Sequence, residues 1–433
     1  MGSTTLQENL QSIRISFLFV LRRKKQRDEE CGRIRMYVTR PLSMFKNSPA
    51  DLSLPPPEGP NSGILVVQDE EATCCFGLFN SEMIKDLPLP QNKKLELYYA
   101  TGFYPNRNMH FYNVFFIPVL NQPLSSNRYY AIYPYGKDRG EGYTSSKEED
   151  MEMDTCCLDC CRGRNDVLPQ HFDPRNLHQQ YEIHLQTRII NVSGGFVAKS
   201  MAQDGFPPEA LWRRGWKLKS STSHEFELGD APGLDTALRA CLPDFNFPLK
   251  PVVVGKWYCP FMFVKEGTPK SMRDERTRSM YYEMTLEQKW EQIFARDHHS
   301  NHRDQSNAVA VDAVVQSEVV MVAEREAVCD ERSVGDGVME FKSLNNVGEE
   351  TRVGVSLAIV ERMKWEQERV GWVGGDVEGL VRVQRVEEYG GMGEWNKFGC
   401  FVLTERFALK RMDGSLVFTH DFKHTHQIRS KWE

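Results

Sequence analysis

Four cysteines fall within six residues: Cys156-Cys157-Leu158-Asp159-Cys160-Cys161. Cys157 and Cys160 have the Cys-x-x-Cys spacing of a zinc-knuckle half-site, in which two thiolates close on one tetrahedral ion. Zinc takes four ligands, and the sequence holds no second Cys-x-x-Cys pair. The remaining ligands would come from Cys156 and Cys161, from His171, or from Cys74 and Cys75. Exposed thiols in such a cluster equally suit lipid or redox modification. Thiols with no specific chemistry are the third reading, and the residues leave all three open.

The histidines carry less. His420, His424 and His426 share a strand parity near the end of the sequence. On a strand, His424 and His426 would lie about 6 to 7 Å apart on one face, within reach of one metal, with His420 roughly 13 Å from His424. No carboxylate or third imidazole is placed to complete that pair. His298, His299 and His302 sit in polar text and read as a solvated loop. Gly136 to Gly142 (GKDRGEG) has the glycine content of a phosphate-binding loop but neither the Walker spacing nor the dinucleotide fingerprint, so it reads as a turn. A Gly-x-Ser-x-Gly elbow, a His-Glu-x-x-His helix and the kinase signature set are all missing. No carboxylate pair sits where its context would tune a proton transfer. We therefore name no catalytic residue and no cofactor beyond a structural zinc, and lean away from an enzyme. The Trp and Tyr residues on alternating runs read as core packing.

Those side chains must be positioned by strands. In Phe398 to Glu433, Phe401, Leu403, Phe407 and Leu409 share one parity, broken only by Glu405. After Asp413-Gly414, Leu416, Phe418, His420 and Phe422 share one parity again. Period-two alternation is what a half-buried strand requires, because successive side chains point to opposite faces. Asp-Gly suits a two-residue hairpin turn with both residues at positive φ. That turn sets Leu409 opposite Phe418 and Phe407 opposite His420.

Upstream, Gly63 to Gln68, Ala72 to Phe79, Leu95 to Thr101, His110 to Leu120, Tyr129 to Tyr133, Tyr181 to Val192 and Trp216 to Leu228 are further strand-like runs bounded by Asn, Pro and Gly. Met280 to Phe294 alternates as a strand, although Leu286, Trp290, Ile293 and Phe294 also fit a helix. Ala308 to Ala323 and Val353 to Gln367 read as long alternating strands. Pro207 to Gly215 is a short helix, with proline at its start and glycine past its end. Asp235 to Leu242 is a second. Lys289-Trp290-Glu291-Gln292 returns as Lys364-Trp365-Glu366-Gln367, a weak echo of a repeat.

The expected fold is mainly β and sandwich-like with a few short helices, α+β at most, with long antiparallel hairpins in the C-terminal half. Residues 36–200 form one β-rich region, with an irregular stretch over 136–174, and residues 205–433 form a second. Residues 1–35 form a basic extension, in which Arg22, Arg23, Lys24, Lys25 and Arg27 would attract anionic lipid or an import receptor. Its apolar run Ile15 to Leu21 is too short to span a bilayer, and its charges follow that run instead of preceding it as in a signal peptide.

The 433 residues are 40% hydrophobic and 26% charged with a formal net charge of −6, ordinary for a globular protein and no basis for general nucleic-acid binding. The eleven cysteines, several in adjacent pairs, fit a reducing compartment better than a disulfide framework.

From Met36 to Glu433 the chain resembles a plant-specific family known as domain of unknown function 1262. The resemblance rests on Met36 to Ser43 (MYVTRPLS), Leu54 to Gly63 (LPPPEGPNSG), Pro123 to Tyr130 (PLSSNRYY) and Gly255 to Phe261 (GKWYCPF). Tyr281 to Phe294, Glu361 to Val373 (ERMKWEQERVGWV) and His424 to Glu433 (HTHQIRSKWE) complete it. It implies a plant origin and a start near Met36, but no activity, cofactor or catalytic residue.

The expected function is that of a cytoplasmic, soluble, non-enzymatic protein that binds a protein or small ligand. A nuclear or membrane-peripheral location would follow from the basic cluster. The alternatives are a zinc-stabilised interaction module and a pore-forming-like β protein whose alternating runs unroll as amphipathic hairpins. Native mass spectrometry of residues 36–433 under reducing conditions tests the zinc reading. It expects one zinc per chain, lost in Cys157→Ser, Cys160→Ser; a metal-free folded protein removes it.

Overall fold

The computed structural model describes residues 36–59, 61–69, 81–102, 105–147, 166–186, 194–221, 227–246, 249–267, 279–298, 307–330, 337–346, 348–375, 379–392 and 394–433. Most of the strand-like runs become strands. In chain order, β1 (Tyr37–Pro41) leads through helix α1 (Leu42–Asn47) to β2 (Gly63–Val67), β3 (Ser81–Ile84), β4 (Lys94–Thr101) and β5 (Asn108–Asn113). Then come β6 (Phe115–Pro118), β7 (Arg128–Ile132), β8 (Gln180–Leu185) and β9 (Phe196–Ser200). Helix α2 (Glu209–Trp212) precedes β10 (Lys217–Ser221) and β11 (Gly233–Leu234). Helix α3 (Thr236–Ala240) precedes β12 (Val252–Pro260), β13 (Val264–Glu266) and β14 (Tyr281–Asp297). The rest is β15 (Ala308–Gln316), β16 (Glu318–Val322), β17 (Arg325–Glu326), β18 (Val328–Asp330), β19 (Val338–Leu344), β20 (Glu350–Ser356), helix α4 (Leu357–Glu368), β21 (Leu380–Glu388), β22 (Lys397–Arg411) and β23 (Leu416–Trp432). The protein is mainly β with short helices, as its alternation implied.

One nine-stranded sheet runs β17-β16-β23-β22-β14-β12-β1-β2, with β11 also on β12. Its pairings are antiparallel except β1 with β2. Three four-stranded sheets, β3-β10-β4-β5, β13-β20-β19-β18 and β6-β7-β8-β9, and the β15-β21 ribbon surround it. None closes into a barrel among the described residues. Strands from either side of residues 194–205 share two sheets: β1 lies on β12, and β10 lies between β3 and β4. The largest core cluster likewise mixes Tyr37, Phe115 and Tyr130 with Tyr281, Phe407 and Phe422. A second cluster, including Leu97, Phe116, Trp216 and Leu218, lies under the β3-β10-β4-β5 sheet.

The β22-β23 hairpin pairs Leu409 with Phe418 and Phe407 with His420, the register expected from a two-residue turn. Its turn differs from the expected two-residue loop. Arg411 N–H donates to Ser415 O at 2.9 Å and Gly414 N–H to Arg411 O at 2.9 Å, closing a three-residue loop. Of the Asp-Gly pair, only Gly414 takes a positive φ, +84°. The Asp413 carboxylate instead accepts from the Ser415 amide at 2.8 Å, the local bond that makes Asp a turn former. A bulge at Val417 restores the register.

Met280 to Phe294 is a strand, and its alternation outweighs the helical fit. Val353 to Gln367 is a correction: β20 ends at Ser356 and the rest is helix α4. The buried residues of α4 are Ala358, Ile359, Val360, Arg362, Met363, Glu366 and Gln367, a spacing of three to four that marks one helix face. Three of the seven are polar or charged, so an apolar count does not find that face. The Lys-Trp-Glu-Gln echo is no structural repeat, since one copy lies in β14 and the other in α4. Ala308 to Ala323 breaks at buried Ser317, where the chain passes from the β15-β21 ribbon to the central sheet. Both short helices form, and Asp235 caps α3 by accepting from Leu238 N–H at 2.8 Å. The run Ala72 to Phe79 and residues 1–35 lie outside the described residues.

The Gly414 turn gives a clean test of backbone strain, because a Cβ there would meet nothing within 4 Å. Gly414→Ala should cost about 1 kcal/mol in urea unfolding through φ alone. An unchanged midpoint would show that the turn relaxes.

Candidate functional site

Cys156, Cys157, Cys160, Cys161, Cys74 and Cys75 lie outside the described residues, as do Arg22, Arg23, Lys24, Lys25 and Arg27. His171 is described and exposed. The His424 and His426 rings stand 5.5 Å apart and nearly perpendicular, but not on regular strand. Val402 pairs with Ile428 and Leu403 with His424, so Thr425 to Gln427 bulge out of the ladder. His424 Nε2 lies 2.9 Å from Gln367 Oε1. Among the described residues no three His, Cys, Asp or Glu side chains gather as a metal site. Gly136 to Gly142 is a turn, with Gly136 and Gly140 at positive φ and Arg139 over the Phe261 ring.

A charged centre missed by motif reading lies under the central sheet. Glu405 on β22 and Gln288 on β14 point from the same face as Phe407 and Leu286, opposite each other in register with their neighbours. Helices α3 and α4 close over them. Arg239 at the end of α3 donates from Nε to Glu405 Oε1 at 2.9 Å and from Nη2 to Oε2 of the same carboxylate. Its Nη1 reaches Glu366 Oε2 at 3.1 Å, and Nη2 also reaches the Glu366 carbonyl at 3.1 Å, near the carbonyl-rich end of α4. Gln288 Nε2 donates to Glu405 Oε1 at 2.8 Å and to Arg239 O at 3.0 Å. Arg362 and Arg369 flank Glu366, with Arg369 Nε 2.7 Å from Oε2, and Glu58 lies 4.0 Å beyond Arg362.

Three guanidinium groups thus meet three carboxylates. Burial opposes ionisation of Glu405, but His424 and Arg239 beside it hold its carboxyl down at about 2. Burial raises Glu58 above its ordinary value against the pull of Arg362. Perturbed carboxyls mark active sites when a substrate can reach them. Here the Glu405 side chain is only 2% exposed, so the arrangement acts as a clamp between helices and sheet. The sequence carried one signal of it, the break in the β22 parity at Glu405.

The accessible feature lies on the β3-β10-β4-β5 sheet. Leu95, Leu97, Tyr99 and Leu218 face its core. On the opposite face Tyr98 sits between Lys217 and Phe111, and Lys219 between Met83 and Glu96. Phe111 is 54% exposed, Met109 46% and Met83 40%. The Tyr98 and Phe111 rings stack at 6.0 Å, and Tyr98 OH reaches Met83 Sδ at 3.0 Å, two strands away. Lys219 Nζ pairs with Glu96 at 2.7 Å and stands 5.1 Å from the Phe111 centroid. Among the described strands β5 pairs with β4 alone, so its other edge is open.

Met83 continues this strip into a cleft of about 450 Å³ between α1 and residues 83–90. Leu42, Phe45, Leu52, Ile84, Leu87 and Pro88 give it apolar walls, and Lys46, Lys85 and Asp86 also line it. Alternation located β4 and most of β5, but Phe111 reads as an ordinary strand residue and Met109 falls just outside the run. Only the sheet's position tells which face stays uncovered.

Residues 58–158 match a family model described as "Protein of unknown function (DUF1262)", so the resemblance to an uncharacterised family holds over that stretch. No curated protein matches the chain. Among solved structures, the "Crystal structure of Cry35Ab1" is similar over 79% of this chain and 90% of that one, at 13% identity and a TM-score of 0.38.

Removing one partner of a buried ion pair strands the other, so Glu405→Gln should lower unfolding free energy by about 3 to 5 kcal/mol. A carboxyl depressed on folding contributes stability that is complete above its ordinary 4.5 and lost as pH falls through about 2. Urea midpoints of the wild type should fall over that window by an amount that Glu405→Gln lacks. Parallel pH curves for the two proteins would remove Glu405 as a source of acid sensitivity.

Proposed function

We propose that this chain is a soluble, intracellular, non-catalytic binding protein whose contact surface is the strip from the α1 cleft across Met83, Tyr98 and Phe111 to the open edge of β5. One observation carries the reading: Met83, Met109 and Phe111 stand exposed on one face of a sheet whose β5 pairs, among the described strands, with β4 alone. Contiguous exposed apolar surface of this kind marks interaction sites. An open edge strand offers an approaching partner unpaired backbone groups. The charged centre under α4 supports the same reading by keeping the depressed carboxyl of Glu405 buried away from substrate.

The pore-forming alternative relied on two runs that would unroll as long hairpins. Val353 to Gln367 is helix from Leu357 onward, and Ala308 to Ala323 is divided between two sheets. The zinc-module alternative rests on cysteines outside the described residues, and the zinc measurement decides it.

Photo-crosslinking tests the contact surface. Benzoylphenylalanine in place of Phe111 should give one discrete adduct in cells that express the protein. The same group in place of Val386, 68% exposed on the β15-β21 ribbon, should not. Adducts of the same pattern from both positions, or none from 111, would overturn the reading.

A further inference from the structure

The strip carries apolar side chains on β5, β4 and β3, with the lysines of β10 between them. Lys217 and Lys219 stand on the strip itself and Lys46 and Lys85 line its cleft, against Asp86 and Glu96. Glu96 is already paired with Lys219. Among the described residues Lys85 and Lys217 have no carboxylate partner. The face therefore offers apolar contact with surplus positive charge, inside a chain of net charge −6.

We infer that the occupant is an extended acidic protein segment, with apolar side chains that reach the strip and the α1 cleft and carboxylates that meet the lysines. This rests on the reading of the strip as the contact surface and adds the chemistry of what it takes. Complementary charge sets partner choice and association rate, while buried apolar anchors hold the complex. From β5 to β3 the strip crosses three strand spacings, about 14 Å, before it enters the cleft. A short extended segment covers that length.

Two observations favour a peptide over single-stranded nucleic acid, the other polyanion that aromatic sheet faces take. The Lys219 ammonium stands over Phe111, where a base would have to stack. The cleft walls of Leu, Phe and Pro accept an apolar side chain, and a phosphodiester backbone has none to offer.

Fluorescence anisotropy with the full chain tests this, using a labelled peptide that alternates leucine with glutamate, its lysine counterpart, and single-stranded oligothymidylate. The glutamate peptide should bind, and the lysine peptide at least about tenfold more weakly. Lys217→Glu, Lys219→Glu and, separately, Phe111→Ser should each weaken the glutamate peptide by about tenfold, with melting temperatures within a few degrees of wild type. Val386→Ser should change nothing.

Equal binding of the lysine peptide, or no binding of the glutamate peptide, would overturn the acidic occupant. The crosslink at position 111 would then still judge the strip. Oligothymidylate that outcompetes the glutamate peptide would make the face a nucleic-acid surface and overturn the inference. Glutamate-peptide binding untouched by Phe111→Ser would overturn the strip itself.

Discussion

A carboxylate in the middle of an apolar sheet face has to be neutralised where it stands, and much of this structure follows from how Glu405 is. Its partner Arg239 comes from α3, and the second carboxylate on that guanidinium, Glu366, comes from α4. Neither helix is held by apolar contact alone: α3 is only five residues long, and α4 turns Arg362, Glu366 and Gln367 inward. The ions set where each helix sits on the sheet, while Phe407, Phe422 and Leu286 around them supply the burial. A hydrophobic face of equal size would hold the helices more loosely in register, because apolar contact has no direction and a bidentate guanidinium pair does.

This arrangement also explains which parts of the fold could be read from the residues. Strands with one apolar face and one solvated face announce themselves, so parity tells which side Phe407 and His420 face, and the turn with its bulge sets them opposite each other. Helix α4 hides because its inward face includes Arg362, Glu366 and Gln367 and its first residues continue the alternation of β20. Glu405 was visible as an interruption in a run of apolar residues. An interruption has many causes, though, and nothing local names Arg239, 166 positions away, as the reason for this one. The exposed strip was hidden differently. Tyr98 and Phe111 have the side chains of core residues, and only the placement of their sheet leaves them outside.

The chain is also woven across its own middle. β1 and β2 add to the edge of a sheet otherwise built from residues beyond 230, and β10 enters a sheet whose other strands lie before residue 114. The core cluster that results draws on both halves, so the packing of either depends on the other.

That weaving has a consequence for how the molecule is made. β22 and β23 fill the gap between β14 and β16, in the middle of the central sheet, yet they leave the ribosome after every strand they join. Until they emerge, β14 and β16 each present an unpaired edge, and Arg239 and Glu366 have no Glu405 to meet. Contacts of such long sequence separation are slow to form, and waiting edges invite association between nascent chains. Synthesis and folding are thereby separated in time, and the interval belongs to whatever shields those edges.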